Sequence, residues 1–346
     1  MNILITGGCG FLGSNLAAAA IAKGDDVTVL DNLSRLGASD NLSWLQGQGD
    51  FNFVHADIRN VNDIDRAVAK VEPDAVFHVA GQVAMTTSLA DPRRDFEINA
   101  LGTFNMVDAV RRYAPKAVLV YSSTNKVYGD LLQYRYAETA TRWNCVDRPN
   151  GFDENTQLGF HSPYGCSKGA ADQYILDAHR MWGLKTIVFR HSSMYGGRQF
   201  ATFDQGWVGW FCRQAVEQLK ASNSGCDKKS FTISGDGKQV RDVLHADDMV
   251  KLYFSAVAHA DRAAGQVFNI GGGMKNSLSL LELFDHLEGI TGSKLSFTRL
   301  PPRSSDQIVF VADLFKAGQL LDWCPVVDVP SGLSAMMAWT SQQIKL

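Results

Sequence analysis

Short apolar runs recur along the first two-thirds of the chain, separated by stretches with helical spacing. The runs read NILIT, DVTVLD, FNFVHAD, DAVFHVAG, AVLVYSS and KTIVFRHSS, and the first two are linked by SNLAAAAIAKG. Uninterrupted apolar runs of this length suit strands buried on both faces, and helices between such strands imply a parallel sheet covered on both sides. The predicted class is therefore α/β, a doubly wound parallel sheet. After about residue 200 the pattern changes to aromatic-rich and helical pieces, and Pro301–Pro302 marks a late loop. The stretch RDVLHADDMVKLYFSAVAH reads as a strand and helix returning to the first layer. The expected division is one unit of residues 1–188 plus about 235–265, and a smaller C-terminal lobe of 189–234 plus 266–346.

Composition narrows the picture. With 346 residues and 45% of them hydrophobic, the chain can bury two cores or one large α/β core. A net charge of −3 without a sustained basic stretch argues against a nucleic-acid surface. No apolar run approaches the roughly 18 residues of a membrane span, and MNILITGGCGFLG lacks the charged start of an export signal. Six cysteines are scattered without close pairing, which fits reduced thiols and a cytoplasmic location. No metal-binding spacing is present, and His78 and His245 read as structural histidines.

Gly7, Gly8, Gly10 and Gly13 lie between the first strand and its helix, satisfying G-x-G-x-x-G. Such a turn lets backbone approach a pyrophosphate, which then meets the positive end of the helix. A plain strand-to-helix turn could carry the same letters. The strand DVTVL, however, ends at Asp31, roughly 20 residues on, where a carboxylate can hold a ribose 2′-hydroxyl and repel a 2′-phosphate. The pattern is that of a Rossmann-type site for NAD rather than NADP. Arg35 is the reservation, because a nearby arginine can accept that phosphate. Asp57 ends the third strand, where it either meets the adenine edge or simply closes the strand.

In HSPYGCSKGAADQY, Tyr164 and Lys168 stand at i and i+4 and share a helix face. A tyrosine is a poor base at neutral pH. A neighbouring ammonium favours the phenolate, which can take a proton from a sugar hydroxyl while hydride leaves the same carbon. Surface residues could give the same spacing. Ser122, Ser123 and Thr124 run off the preceding strand, where hydroxyls can orient a substrate oxygen at the sheet's ligand crevice.

Taken together, TGGCGFLGSNL, HVAGQVA, NALGT, SSTNKVYG, SPYGCSK, RHSSMYG, RDVLHADD and FNIGGG resemble the extended short-chain dehydrogenase/reductases that act as nucleotide-sugar epimerases and dehydratases, across essentially the whole chain. More narrowly, AGQVAMTTS, SSTNKVYGDL and DQGWVGWF resemble the group that inverts C2 of CDP-linked hexoses, CDP-paratose to CDP-tyvelose. The resemblance implies an isomerase with a resident NAD. It makes Tyr164 the base, Lys168 its partner and ribose anchor, and Thr124 the hydroxyl member. It places Gly7, Gly10, Phe11, Leu12 and Gly13 at the pyrophosphate, Asp31, Asn32 and Arg35 at the adenosine ribose, and Asp57 with Ile58 at the adenine. Ala80, Gly81, Gln82 and Asn99 fall at the cofactor's middle. His191, Ser192 and Ser193 replace the family's aromatic–Asn stretch, His191 toward the nicotinamide and Ser193 toward the substrate. Arg241 and Arg303 match the arginines that clasp the nucleotide-sugar diphosphate. Family members usually associate as homo-oligomers.

Dehydratases of the family carry Thr-Asp-Glu where this chain has Thr124-Asn125-Lys126, so dehydration is disfavoured, and a nucleotide-sugar 4-epimerase or a C2 epimerase of another nucleotide-linked hexose remains the rival. A non-catalytic dinucleotide sensor is the other alternative. The long stretch from Asp130 to Pro163 suits a lid on the sugar pocket or a subunit contact. Trp207 and Trp210, three apart on a helix, suit core or a wall of the substrate site.

Overall fold

The computed structural model describes residues 1–302 and 306–344. Seven strands form one parallel sheet in the spatial order Gln266–Ile270, Lys185–His191, Val118–Thr124, Ala75–His78, Asn2–Thr6, Asp26–Asp31, Asn52–His55. The first strand lies between Asp26–Asp31 and Ala75–His78. Its side chains alternate across the pleat. Ile3 and Ile5 join a core with the helices Phe11–Ala22 and Ala246–Ala258, whereas Leu4 joins one with Val61–Val71, Gly102–Tyr113 and Ser162–Trp182. All three are fully buried, each contributing about 1.5–3 kcal/mol by leaving water. Burial on both faces explains why the strands read as apolar runs rather than alternating ones.

The second lobe is held by an aromatic cluster. Phe211 packs edge-on to Phe284 at 5.0 Å, with Phe231 and Phe297 beside them. Helices Trp207–Asn223, Leu280–Thr291 and Val329–Ile344 surround it, the second started by a capping box between Ser279 and Glu282.

Strand pairing corrects the expected division at two places. Gln266–Ile270, assigned above to the second lobe, is the edge strand of the large sheet and pairs with Lys185–His191. Val240–His245, assigned to the first unit, pairs with Ser193–Tyr195, Ser277–Ser279 and Val309–Phe310. Its following helix does return to the first layer. Both strands are short apolar runs, and only their partners decide which sheet receives them.

The stretch after Asp130 is neither a free lid nor a bare surface. It forms a small hairpin, Tyr136–Glu138 with Trp143–Cys145, and buries Leu131, Cys145 and Phe152 against Val309, Phe310 and Val311. The Phe152 carbonyl accepts a bond from Asn269 at 2.8 Å, joining this segment to the sheet edge.

Candidate active site

The glycine turn closes because no side chain would fit in it. A Cβ on Gly13 would lie 2.2 Å from the Gly7 carbonyl oxygen, and one on Gly7, at φ +66°, would lie 2.7 Å from the Ala80 backbone. The helix Phe11–Ala22 begins at Gly10 with no side-chain cap, which leaves its first N–H groups free to meet an anion. Asp31 stands at the end of the next strand. Its carboxylate accepts from the Cys9 amide at 2.9 Å and the Leu33 amide at 2.8 Å, fixing the turn. Burial raises its pKa, with those amides opposing. Asn32 donates to Asp57 at 2.9 Å, and Arg59 takes the remaining reach of that carboxylate, so Asp57 is held at about 2, chiefly by Arg59. Ile58 is buried beneath it.

The middle of the groove is organised by Asn99, which a π-helical turn, Glu97–Leu101, brings inward. Asn99 accepts from the Gln82 amide at 2.9 Å and donates to the Gln82 carbonyl at 3.0 Å and to Ser167 at 3.1 Å. The Gln82 side chain donates to Asp95 at 2.7 Å, and Ser167 donates to the same carboxylate at 2.5 Å. Through this knot Gly81 is set beside Asn99 and the Lys168 ammonium.

Tyr164 and Lys168 lie on the helix Ser162–Trp182, started by Pro163 and stopped by Gly183 at φ +67°. Tyr164 is buried, in hydrogen-bond reach of Thr124. The expected phenolate is not the resting state of the protein alone. Burial pushes the phenol up to about 12, only partly opposed by Thr124. Lys168, which was expected to lower it, turns instead to the Ser122 carbonyl and lies 4.3 Å from the Tyr121 ring centre. Burial brings that ammonium down to about 7, with Asp172 and Asp95 opposing. His191 sits directly across from Thr124 in the sheet register, bonded to the Tyr253 hydroxyl at 3.0 Å. Burial, and then Lys168, hold it at about 3, so its ring is neutral.

Thr124, Tyr164, Lys168 and His191 open on a cavity of about 1150 Å³ that also meets Ser193 and Arg241. Trp207 and Trp210 form part of its wall, and the Trp207 indole donates to Ser193 at 2.8 Å. Arg241 donates to Asp306 at 2.7 Å, and Lys126 faces the same carboxylate oxygen at 3.5 Å. Asn125 donates to Gln307 at 2.9 Å. Arg303 lies outside the described residues. His78 bridges Thr6 and Thr103, and His245 accepts from the Asp247 amide at the start of its helix.

This constellation has counterparts. The model of the family described as "NAD dependent epimerase/dehydratase family" matches residues 3–271. The chain belongs to that family. It is an isomerase of the epimerase kind, and NAD is its cofactor. Family relatives include a CDP-paratose 2-epimerase of Salmonella typhi, 62% identical over 99% of both chains. A putative UDP-glucose 4-epimerase of Methanocaldococcus jannaschii is 30% identical over 97% of each. Among solved family structures, a UDP-glucose 4-epimerase from Thermotoga maritima with UDP-glucose superposes with TM-score 0.83 at 29% identity, covering all of both chains. A UDP-glucuronic acid 4-epimerase from Bacillus cereus, in complex with UDP-glucuronic acid and NAD, gives 0.81 at 25% identity over 99% of each. The uncapped helix and the side-chain-free turn of this family member fit the dinucleotide's pyrophosphate.

The motifs do not point to Asp95, Asp172 or Arg190. Asp172 and Arg190 form a buried ion pair at 2.9 Å behind the catalytic helix, and Ser123 donates to Asp172 at 2.8 Å. Asp172 stands one turn beyond Lys168, a spacing that could have flagged it.

Proposed function

We propose that the protein inverts C2 of a CDP-linked hexose, of the CDP-paratose to CDP-tyvelose type. The reading is supported above all by the 62% identity, over nearly all of both chains, to the Salmonella CDP-paratose 2-epimerase. The positions after Thr124 agree with it. Asn125 is buried against Gln307 and Lys126 is an ammonium, so neither offers the carboxylate that loss of a hydroxyl would use.

NAD, when bound, would supply a reversible two-electron sink and a positive charge. The glycine turn would hold its pyrophosphate, and Asp31 and Lys168 its ribose hydroxyls, with His191 across from Thr124 in the sheet. Thr124 orients the C2 hydroxyl and Tyr164 takes its proton, while the hydrogen on C2 would leave with its electron pair to that sink, giving a ketone at C2. A phenol held at about 12 is not a base by itself, so proton removal would need a further positive charge, which the oxidised cofactor would supply when bound. Arg241 grips the diphosphate while the hexose turns its other face inside the large cavity. Tyr164 then returns the proton to the C2 oxygen as the hydrogen and its electron pair come back to C2 from the opposite face, and no net reducing equivalent leaves.

Two further proposals accompany this reading. Phe104 and Tyr174 are exposed and packed edge-on at 5.4 Å on neighbouring helices, which suits a homo-oligomer contact. The six free thiols suit a reducing cytoplasm.

The test is incubation with CDP-, UDP- and GDP-hexoses in deuterated buffer, with C2 and C4 followed by NMR. Inversion at C2 of the CDP sugar, without solvent deuterium and without accumulated NADH, is expected. Inversion at C4 alone would sink the reading, and deuterium at C2 would replace hydride return by enolisation.

A further inference from the structure

Residues 196–206 join the strand Ser193–Tyr195 to the helix Trp207–Asn223 and run from the elements after the glycine turn to the helix Met85–Ala90. On one wall they are fastened to the elements that follow the glycine turn and Asp31. Asn15 donates to the Gly197 carbonyl at 3.1 Å, and Asn41 to the Arg198 carbonyl at 3.2 Å. Phe200 lies so close over Gly37 that a Cβ there would come within 2.1 Å of its ring. The Arg198 guanidinium sits 4.9 Å from the Trp44 ring centre.

On the opposite wall the segment is held by one side chain. Asp204 accepts from Thr86 at 3.1 Å and Thr87 at 3.3 Å, both on the short helix after the Ala80–Gln82 loop. Its second oxygen accepts from Thr202 at 2.7 Å, within a turn closed by paired bonds between Thr202 and Gln205. Arg35 lies within the electrostatic reach of Asp204. The two fastenings differ in kind. The first uses backbone carbonyls and aromatic packing, whereas the second is a half-buried carboxylate on two hydroxyls. Glycines with positive φ flank the segment, Gly196 at +145° and Gly206 at +74°. Charge-assisted bonds of this kind are strong enough to hold and few enough to break together.

We infer that residues 197–206 are a strap over the bound dinucleotide, and that Asp204, by clasping Thr86 and Thr87, sets how slowly NAD leaves. The inference rests on NAD being resident, as read above, and adds what keeps it there.

The test is exchange of protein-bound NAD against radiolabelled NAD, without any sugar present, together with the NAD content left after desalting. The double variant Thr86→Val/Thr87→Val keeps side-chain shape and removes both donors, and Asp204→Ala removes the acceptor. Each is expected to exchange NAD about tenfold faster or more. Thr86→Ser/Thr87→Ser, which restores both hydroxyls, is expected to exchange as slowly as the unsubstituted protein. Slow exchange in the valine and alanine variants would overturn the clasp. Exchange within seconds in the unsubstituted protein would overturn it too, together with the resident-cofactor reading. Inversion at C4 instead of C2 would leave the clasp untouched.

Discussion

Replacing Asp172 with Asn removes one charge from the pair behind the catalytic helix and changes little in shape. Asp172 is fully buried and accepts from Arg190 Nε and Nη2, both at 2.9 Å, and from Ser123. Arg190 is also buried, and its remaining reach goes to the Tyr128 hydroxyl at 3.0 Å. An amide offers one acceptor where two are used and leaves the guanidinium without a counter-charge. Breaking such a pair from one side costs about 3–5 kcal/mol. With an unfolding entropy of roughly 2.1 cal/mol/K per residue over 346 residues, the midpoint falls by about 4–7 °C. Thermal unfolding followed by circular dichroism measures this for Asp172→Asn, Arg190→Met and the double variant. The double variant is expected to lose clearly less than the sum of the two, because neither charge is then stranded. A single variant with an unchanged midpoint, or strictly additive losses, would refute the reasoning.

Tyr164→Phe is expected to lower kcat by about 100- to 10,000-fold while bound NAD is retained, checked by turnover and by released nucleotide; a retained rate would favour a sensor. Gly13→Ala drives a methyl to 2.2 Å from the Gly7 oxygen, so the purified protein should carry little NAD, as absorbance and enzymatic assay of the released cofactor would show. His78 is held at about 3 by burial and then by Lys168. The unfolded chain therefore binds a proton that the folded one does not between about pH 6.5 and 3, and stability is lost as pH falls through that window, at up to about 1.4 kcal/mol per unit. His191 adds to this slope, while Asp242, raised to about 6 by burial, opposes it between about 3.8 and 6. Urea unfolding at pH 7 and pH 5 should show a smaller difference for His78→Asn, and an equal one would count against the assignment.

The large sheet was legible because its strands are buried on both faces and so are written as continuous apolar runs. The glycine turn, Asp31, and the Tyr164–Lys168 spacing were legible because each is a local relation within one turn or strand end. What could not be read were relations set by distant partners. Gln266–Ile270 and Val240–His245 are equally apolar, and only pairing sends one to each sheet. The direction taken by Lys168 depends on the Ser122 carbonyl and the Tyr121 ring, which nothing in S-x-Y-x-x-x-K announces. Asp95 and Asp204 were hidden for the same reason, since their partners lie in other segments.

The chain passes between the two lobes several times. Residues 240–245 belong to one sheet, the helix that follows packs on the other, and 266–270 close the latter's edge before the path leaves again. Neither half can be freed by a single cut in the chain, and any opening between them has to bend several connecting segments together. Loops on the rim of the sugar cleft, each tied at two ends only, are freer to move for entry and exit than a body joined by so many passages of the chain.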